Sequence, residues 1–207
     1  MSHQREISEF VQRLKKLLSY NLGKEGRQTT LRMELEIVKE YIALQQMRYD
    51  FIIEMNIEDG SYLDQPTVRM LFQPLVENAI RYGLGDDEKI SIQVFEDVAR
   101  HLAVVTISDS GKGLNQEEID EINQPFDYDW GYWKNENRGI GLRYVKAMLE
   151  SFYDGQTSLF VNSKKGFGTK ITILLPVREP EEKKEKDKEV TLEENKVGQT
   201  DERIDCR

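Results

Sequence analysis

Four short clusters in this chain hold residue types that could do chemistry. Glu77-Asn78 and Arg81-Tyr82 stand at i,i+3 and i,i+4 spacing, so on a helix they form one polar patch. An asparagine oxygen there can ligate Mg2+, a hard cation that keeps water and substrate phosphates as its other ligands. Arg81 and the Tyr82 hydroxyl can contact those phosphates. The same pattern also fits the solvent face of an amphipathic helix. Asp109-Ser110-Gly111-Lys112-Gly113 offers two glycines for close backbone approach and a carboxylate able to accept from the exocyclic amine of adenine. It equally suits a plain turn. Gly139-Ile140-Gly141-Leu142 precedes a helical pattern whose free N–H groups can bind phosphate. It is not a dinucleotide fingerprint, because Tyr144 stands where the third glycine belongs. Gly166-Phe167-Gly168-Thr169 reads by itself as a hairpin turn.

The elements that must hold these clusters follow from periodicity. Ile7, Phe10, Val11, Leu14, Leu17 and Leu18 recur at three and four residues, one apolar stripe on a first helix. Gly23 and Gly26 end it, and a second helix is expected over residues 31–49 with Thr30 as its cap. Residues 51–57 alternate as a strand. Pro66 suits a first helical turn, so a helix is expected from there to Tyr82, interrupted at Pro74 and ending near Gly83 and Gly85. Strands follow at 90–95 and 102–108, a short helix at 117–123, and an aperiodic segment at 124–138 that reads as a mobile loop. A helix over 140–152 and strands at 158–162 and 169–176 complete the pattern. This order predicts an α+β fold, a two-layer sandwich with helices on a mixed sheet, preceded by a helical segment. The first fifty residues read as a separate helical piece. From Glu179 the Glu/Lys mixture lacks the apolar residues to fold and reads as a disordered tail.

Composition narrows the classes. A net charge of −9 is no footprint for nucleic acid, which needs clustered Lys and Arg. The one cysteine, Cys206, excludes an internal disulfide and any multi-cysteine metal site. No stretch reads as a membrane span or a signal peptide. A P-loop and a His-Glu-x-x-His metal motif are both absent.

Taken together, in order and spacing, the four clusters resemble the N, G1, G2 and final Gly-x-Gly-Thr boxes of the gyrase, heat-shock chaperone, histidine kinase and mismatch-repair ATPase superfamily, whose ATP-binding domain has the Bergerat fold. The resemblance covers residues 34–176. Within it, Leu71-x-Gln73-Pro74-Leu75-Val76-Glu77-Asn78-Ala79-Ile80-Arg81 is similar to sensor histidine kinases of the autolysin-regulator and sugar-response type. Glu34-Leu35-Glu36-x-Val38-Lys39-x-Tyr41-Ile42-x-x-Gln45-x-x-Arg48-Tyr49 resembles the linker helix of the same group. The resemblance implies ATP and Mg2+ as ligands, with Asn78 on the metal, Arg81 and Tyr82 facing phosphates, and Asp109 reading adenine. It places Gly111, Gly113, Gly139, Gly141 and Leu142 at the pocket, Thr169 on the adenine side, and residues 124–138 as a lid. Glu77 is implied either to polarise the attacking group or to tune the metal site.

Tyr82 stands where this group often has His, and Ser110 where it often has Asn; both keep a hydrogen-bonding group. The phosphoacceptor motif His-Phe-Leu-(Phe or Tyr)-Asn is missing: His3 reads as a helix-entry residue and His101 as a surface histidine. The expectation is therefore three parts: residues 1–30 as part of a dimerisation helix with its connector, 31–178 as the catalytic domain with its linker helix, and 179–207 as the tail. The phosphoryl group would pass to a histidine outside this chain and then to a response regulator. The parent would be a homodimeric membrane protein with this end in the cytoplasm. The competing readings are a nucleotide-gated pseudokinase and another ATPase of the superfamily, including an anti-sigma serine kinase.

Overall fold

A computed structural model of the chain describes residues 2–23, 29–85, 89–123 and 140–178. The expected lid at 124–138, Gly139 and the expected tail lie outside them. Helix α1 (Ser2–Asn21) is followed by a two-residue strand β1 (Thr29–Thr30) and helix α2 (Leu31–Gln46). The Thr30 hydroxyl accepts from the Met33 amide at 3.2 Å, the cap expected for α2. Next come β2 (Ile52–Ile57), a 3-10 turn (Ser61–Asp64), β3 (Pro66–Thr67) and α3 (Gln73–Tyr82). Then β4 (Lys89–Asp97), β5 (Leu102–Asp109), α4 (Gln116–Asn123), α5 (Ile140–Phe152), β6 (Ser158–Lys164) and β7 (Gly168–Pro176) complete the order.

The main sheet runs β2-β4-β5-β7-β6. β2 lies parallel to β4 and the other pairs are antiparallel, so the sheet is mixed, as expected. Period-two alternation turns Ile90, Ile92 and Val94 of β4 inward, with Val105 and Ile107 of β5 and Ile171 and Ile173 of β7. Against them pack Leu35 and Val38 of α2, Leu75 and Val76 of α3, and Val145 and Leu149 of α5.

Two expectations need correction. The helix expected from Pro66 begins only at Gln73, with Pro74 in its first turn rather than as an interior kink. Residues 66–67 instead pair with Thr29–Thr30, and the Glu34 carboxylate accepts from the amides of Met70 (2.8 Å) and Leu71 (2.7 Å). Those amides are engaged from outside, and Met70 sits at φ +58, so no helix can run through the segment. Second, the first fifty residues are not detached from the sheet. Leu31, Leu35, Val38 and Ile42 of α2 belong to the main core. Helix α1 joins α2 through Leu17, Tyr20 and Ile37, while Ile7, Val11 and Leu18 of its stripe stay exposed.

Candidate functional site

The site forms where the ends of β5 and β7 meet the inner face of α3. Asp109 ends β5 on the same face as Val105 and Ile107, so its carboxylate continues an apolar row into a cavity. Its Oδ1 accepts from the amides of Gly111 (3.1 Å) and Thr169 (3.0 Å). With Oδ1 engaged twice, Oδ2 is the oxygen left to meet a ligand. Burial pushes the Asp109 carboxyl above its ordinary value, and the two amide bonds counter part of that rise.

Backbone packs tightly around this carboxylate. A Cβ on Gly83, the residue that ends α3, would collide with the Asp109 side chain. At Gly168 the backbone has φ +90, and a Cβ there would strike the Asp109 carbonyl. The β6–β7 hairpin is fastened to the glycine loop by Ser163. Its hydroxyl accepts from the Leu114 amide (2.8 Å), donates to the Gly168 carbonyl (2.9 Å) and meets the Thr169 hydroxyl (2.9 Å). The Gly166 amide also donates to the Lys112 carbonyl at 2.7 Å.

Of the residues singled out in the sequence, Asn78, Tyr82, Asp109, Gly113, Leu142 and Thr169 line one cavity. Gly111 lies behind it against the backbone of Gly83. A Cβ added to Gly141 would meet the Asn78 side-chain amide nitrogen at ordinary packing distance. Glu77 and Arg81 do not line the cavity; they pair with each other at 2.9 Å on the exposed side of α3. That is the i,i+4 geometry their spacing required.

Sequence reasoning left out the apolar walls, Leu75 and Ala79 from α3 and Ile107 and Ile171 from the sheet. Alternation carried the signal for the last two, since each lies two residues inward from Asp109 or Thr169 on the same face. It also left out two cations, Lys112 and Arg143. The Lys112 ammonium stands 4.8 Å from the Tyr82 ring centroid, so the loop and α3 meet across a cation–π contact. Arg143 is two residues beyond Gly141, on the first turn of α5. From α4, Glu118 and Glu121 complete the rim. Chemically, this is a slot with apolar walls, a carboxylate acceptor at one end, and an amide with two cations elsewhere in the lining. Among the described residues no three His, Cys, Asp or Glu side chains are grouped to cage a metal.

The model of the histidine kinase-, DNA gyrase B- and HSP90-like ATPases matches residues 63–179, and that of the histidine kinases matches residues 1–52. The chain is 30% identical over 168 residues to sensor protein kinase HptS of Staphylococcus aureus (strain bovine RF122 / ET3-1), covering 81% of this chain and 32% of that protein. HptS of strain USA300 gives the same figures. The chain thus spans about a third of the length of the curated relatives it matches. Among solved structures, the histidine kinase domain of the blue-light activated histidine kinase from Erythrobacter litoralis EL346 aligns with TM-score 0.50 at 20% identity, over 82% of this chain and 74% of that one. Acinetobacter baumannii histidine kinase AdeS aligns with TM-score 0.51 at 19% identity, over 86% and 82%. At such identities these two speak for the fold alone. The chain belongs to the histidine kinase-, DNA gyrase B- and HSP90-like ATPase family. Within that family it is the ATP-binding catalytic domain of the histidine-kinase branch. Among the described residues no helix is long and apolar enough to cross a membrane.

Proposed function

We propose that the cavity between α3 and the end of the β5–β7 pair binds Mg-ATP. In the whole protein, the γ-phosphoryl group then passes to a histidine beyond this chain. The observation that carries this reading is the Asp109 carboxylate, fixed by the Gly111 and Thr169 amides at the end of an apolar slot. A flat, apolar base with one exocyclic amine suits such a slot: the walls take the ring and Oδ2 accepts the amine hydrogen. Thr169 supports that end through the Ser163 knot. Tyr82, Lys112 and Arg143 would face the phosphates, and Arg81 would approach them from outside the cavity. One amide without a carboxylate cage fits Mg2+, whose remaining ligands are phosphate oxygens and water. Asn78 would be its protein ligand, and the metal would neutralise charge on the phosphates.

Transfer forms a bond from an imidazole nitrogen to the γ-phosphorus and breaks the bond to the β,γ-bridging oxygen, releasing ADP. The protein's share is positioning and charge neutralisation. Glu77, held by Arg81 outside the cavity, stands on the same helix as Asn78 and would act on the incoming imidazole. Residues 1–30 would belong to a dimerisation element, and a response regulator would accept the phosphoryl group in turn. The parent would hold this part in the cytoplasm. Calorimetry tests the site itself: Mg-ATP should bind, Mg-GTP should not, and Asp109→Asn should abolish the difference. Equal binding of both nucleotides by the unaltered chain would sink the adenine reading. In the whole protein, Asn78→Ala should remove histidine phosphorylation; unchanged phosphorylation would remove Asn78 from the metal.

A further inference from the structure

One buried polar group lies outside the nucleotide cavity and is not used by it. Glu34, on the first turn of α2, is 2% exposed, a rare position for a carboxylate. It is fully partnered. Oε1 accepts from the Tyr20 hydroxyl and from the Met70 amide, and Oε2 accepts from the Leu71 amide. Tyr20 comes from the last turn of α1 and is completely buried, while Leu18 and Leu22 around it are exposed. Its oxygen also meets the Thr29 hydroxyl at 2.7 Å. Arg69, next to Met70, donates Nη1 to the Tyr20 carbonyl at 2.8 Å and lies 4.6 Å from the Tyr20 ring centroid. A cation there meets the negative end of α1 and is a second donor to the Tyr20 carbonyl, which also accepts from the Gly23 amide at 2.9 Å.

The short segment 69–71 therefore faces two ways. Through Arg69 it caps the end of α1, and through the amides of Met70 and Leu71 it is held by a carboxylate that Tyr20 also holds. Met70 keeps a left-handed backbone (φ +58) that a methionine adopts only where surroundings over-determine it. Immediately beyond, α3 begins at Gln73, and its N-cap Phe72 makes no side-chain capping bond. The first turn of this ten-residue helix is thus oriented from outside, by Glu34. The same helix delivers Asn78, Ala79 and Tyr82 to the cavity. A short helix has no slack in which to lose a tilt at its start.

We propose that Tyr20 and Glu34 are positioning residues for the nucleotide site: together they clamp the entry of α3 to the end of α1, so that docking of α1 and binding of nucleotide stabilise each other. Coupling of this kind is reciprocal, because each equilibrium must shift the other by the same factor. Displacing the end of α1 loosens the α3 entry and weakens nucleotide binding. Bound nucleotide, in return, tightens the end of α1. The inference rests on the nucleotide reading of the cavity, and the experiment separates the two.

Hydrogen exchange of the full 207-residue chain, with and without saturating Mg-ADP, reads both ends. The reporters are the amides of Leu22 and Gly23, which close on Leu18 and Tyr20 at the end of α1. Mg-ADP should slow exchange at residues 109–113 and also at Leu22 and Gly23, far along the chain from the cavity. Tyr20→Phe removes only the hydroxyl. It should weaken Mg-ADP binding about 5- to 10-fold, the lower end of typical coupling factors, and erase the nucleotide-dependent slowing at Leu22 and Gly23. Slowing at 109–113 should remain at saturation. A purely structural tyrosine would lower melting temperature without making exchange at α1 depend on nucleotide. Slowing confined to 109–113 in the unaltered chain, or unchanged affinity in Tyr20→Phe, would overturn the coupling while leaving the nucleotide site intact. Absence of any slowing at 109–113 would overturn both. Should Tyr20→Phe fail to fold, Arg69→Met serves in its place, with the same sign and a smaller loss of affinity; wild-type affinity there would equally overturn the proposal.

Discussion

The Asp109 end of the molecule and the α1 junction are both buried polar arrangements around one carboxylate, yet they are built from different material. Around Asp109 the donors are backbone amides, and the residues packed directly against it include Gly83 and Gly168, where an added Cβ has no room. Around Glu34 two donors are backbone, but the links to α1 are side chains, the Tyr20 hydroxyl and the Arg69 guanidinium. Backbone contacts cannot be rotated away without deforming the sheet, so the first arrangement is fixed. Side-chain contacts can be made and broken at constant fold, so the second is adjustable. The difference suggests a rigid receptor end and a tunable attachment.

The sharpest way to break that contrast is Gly168→Ala. A Cβ there meets the Asp109 carbonyl and also occupies a left-handed backbone (φ +90). Unfolding stability should fall by about 3 kcal/mol, from strain and overpacking together, and Mg-ATP binding should be lost in calorimetry. Gly155→Ala is the control: φ is +74 but no atom lies within 4 Å of its added Cβ. It should cost only about 1 kcal/mol, the conformational part alone, and leave binding intact. Equal costs at the two sites would deny the Asp109 end its special rigidity.

Next in size is Glu34→Ala, which strands the Met70 and Leu71 amides and leaves the Tyr20 hydroxyl only the Thr29 hydroxyl as a partner. Leaving buried donors unsatisfied costs on the order of 2–3 kcal/mol in a denaturant melt. A loss under about 0.5 kcal/mol, within the range of ordinary surface changes, would mean that water replaces the carboxylate.

A smaller effect concerns pH. The folded Asp109 carboxyl is raised by burial, so its contribution to stability is full below the unfolded value and is lost as pH rises through the folded one. Urea melts of nucleotide-free chain should therefore show Asp109→Asn gaining on the unaltered protein as pH climbs from the acid range to neutrality. The opposite slope would show that the Gly111 and Thr169 amides outweigh desolvation. Smallest of all is Arg13→Ala. It removes the bridge to Glu9 within α1 (2.8 Å) and the bridge to Glu40 (2.5 Å) that links α1 to α2. As partly exposed pairs these should contribute at most about 1 kcal/mol, fading with added salt. A larger, salt-insensitive loss would make the α1 attachment as rigid as the Asp109 end.

Much of the fold was legible before any coordinates. Helix α5 has the bounds its periodicity required, and β4, β5 and β7 lie where alternation put them, each extended slightly at its ends. Thr30 caps α2 as its type and position implied. The exception is instructive. Pro66 and Pro74 carry the same local signal for a helical first turn, and local rules could not choose between them. The choice falls to Glu34, remote in sequence, whose carboxylate takes the amides a helix through Met70 and Leu71 would need.

The candidate site divides along the same line. Residue type and order marked Asn78, Asp109 and Thr169, and strand parity could have marked Ile107 and Ile171, because these signals are local. That Glu77 and Arg81 pair outside the cavity while Lys112 and Arg143 line it is a matter of which helix face meets the sheet. The Tyr20–Glu34 clamp is likewise invisible in a sequence of this kind, where Glu34 reads as one more charge on a helix. The sequence by itself determined the elements and the chemical vocabulary of the pocket, since both depend on period and side-chain type. Only the tertiary structure decided which charges are buried and what holds α3 in place, because burial is a property of packing between distant segments.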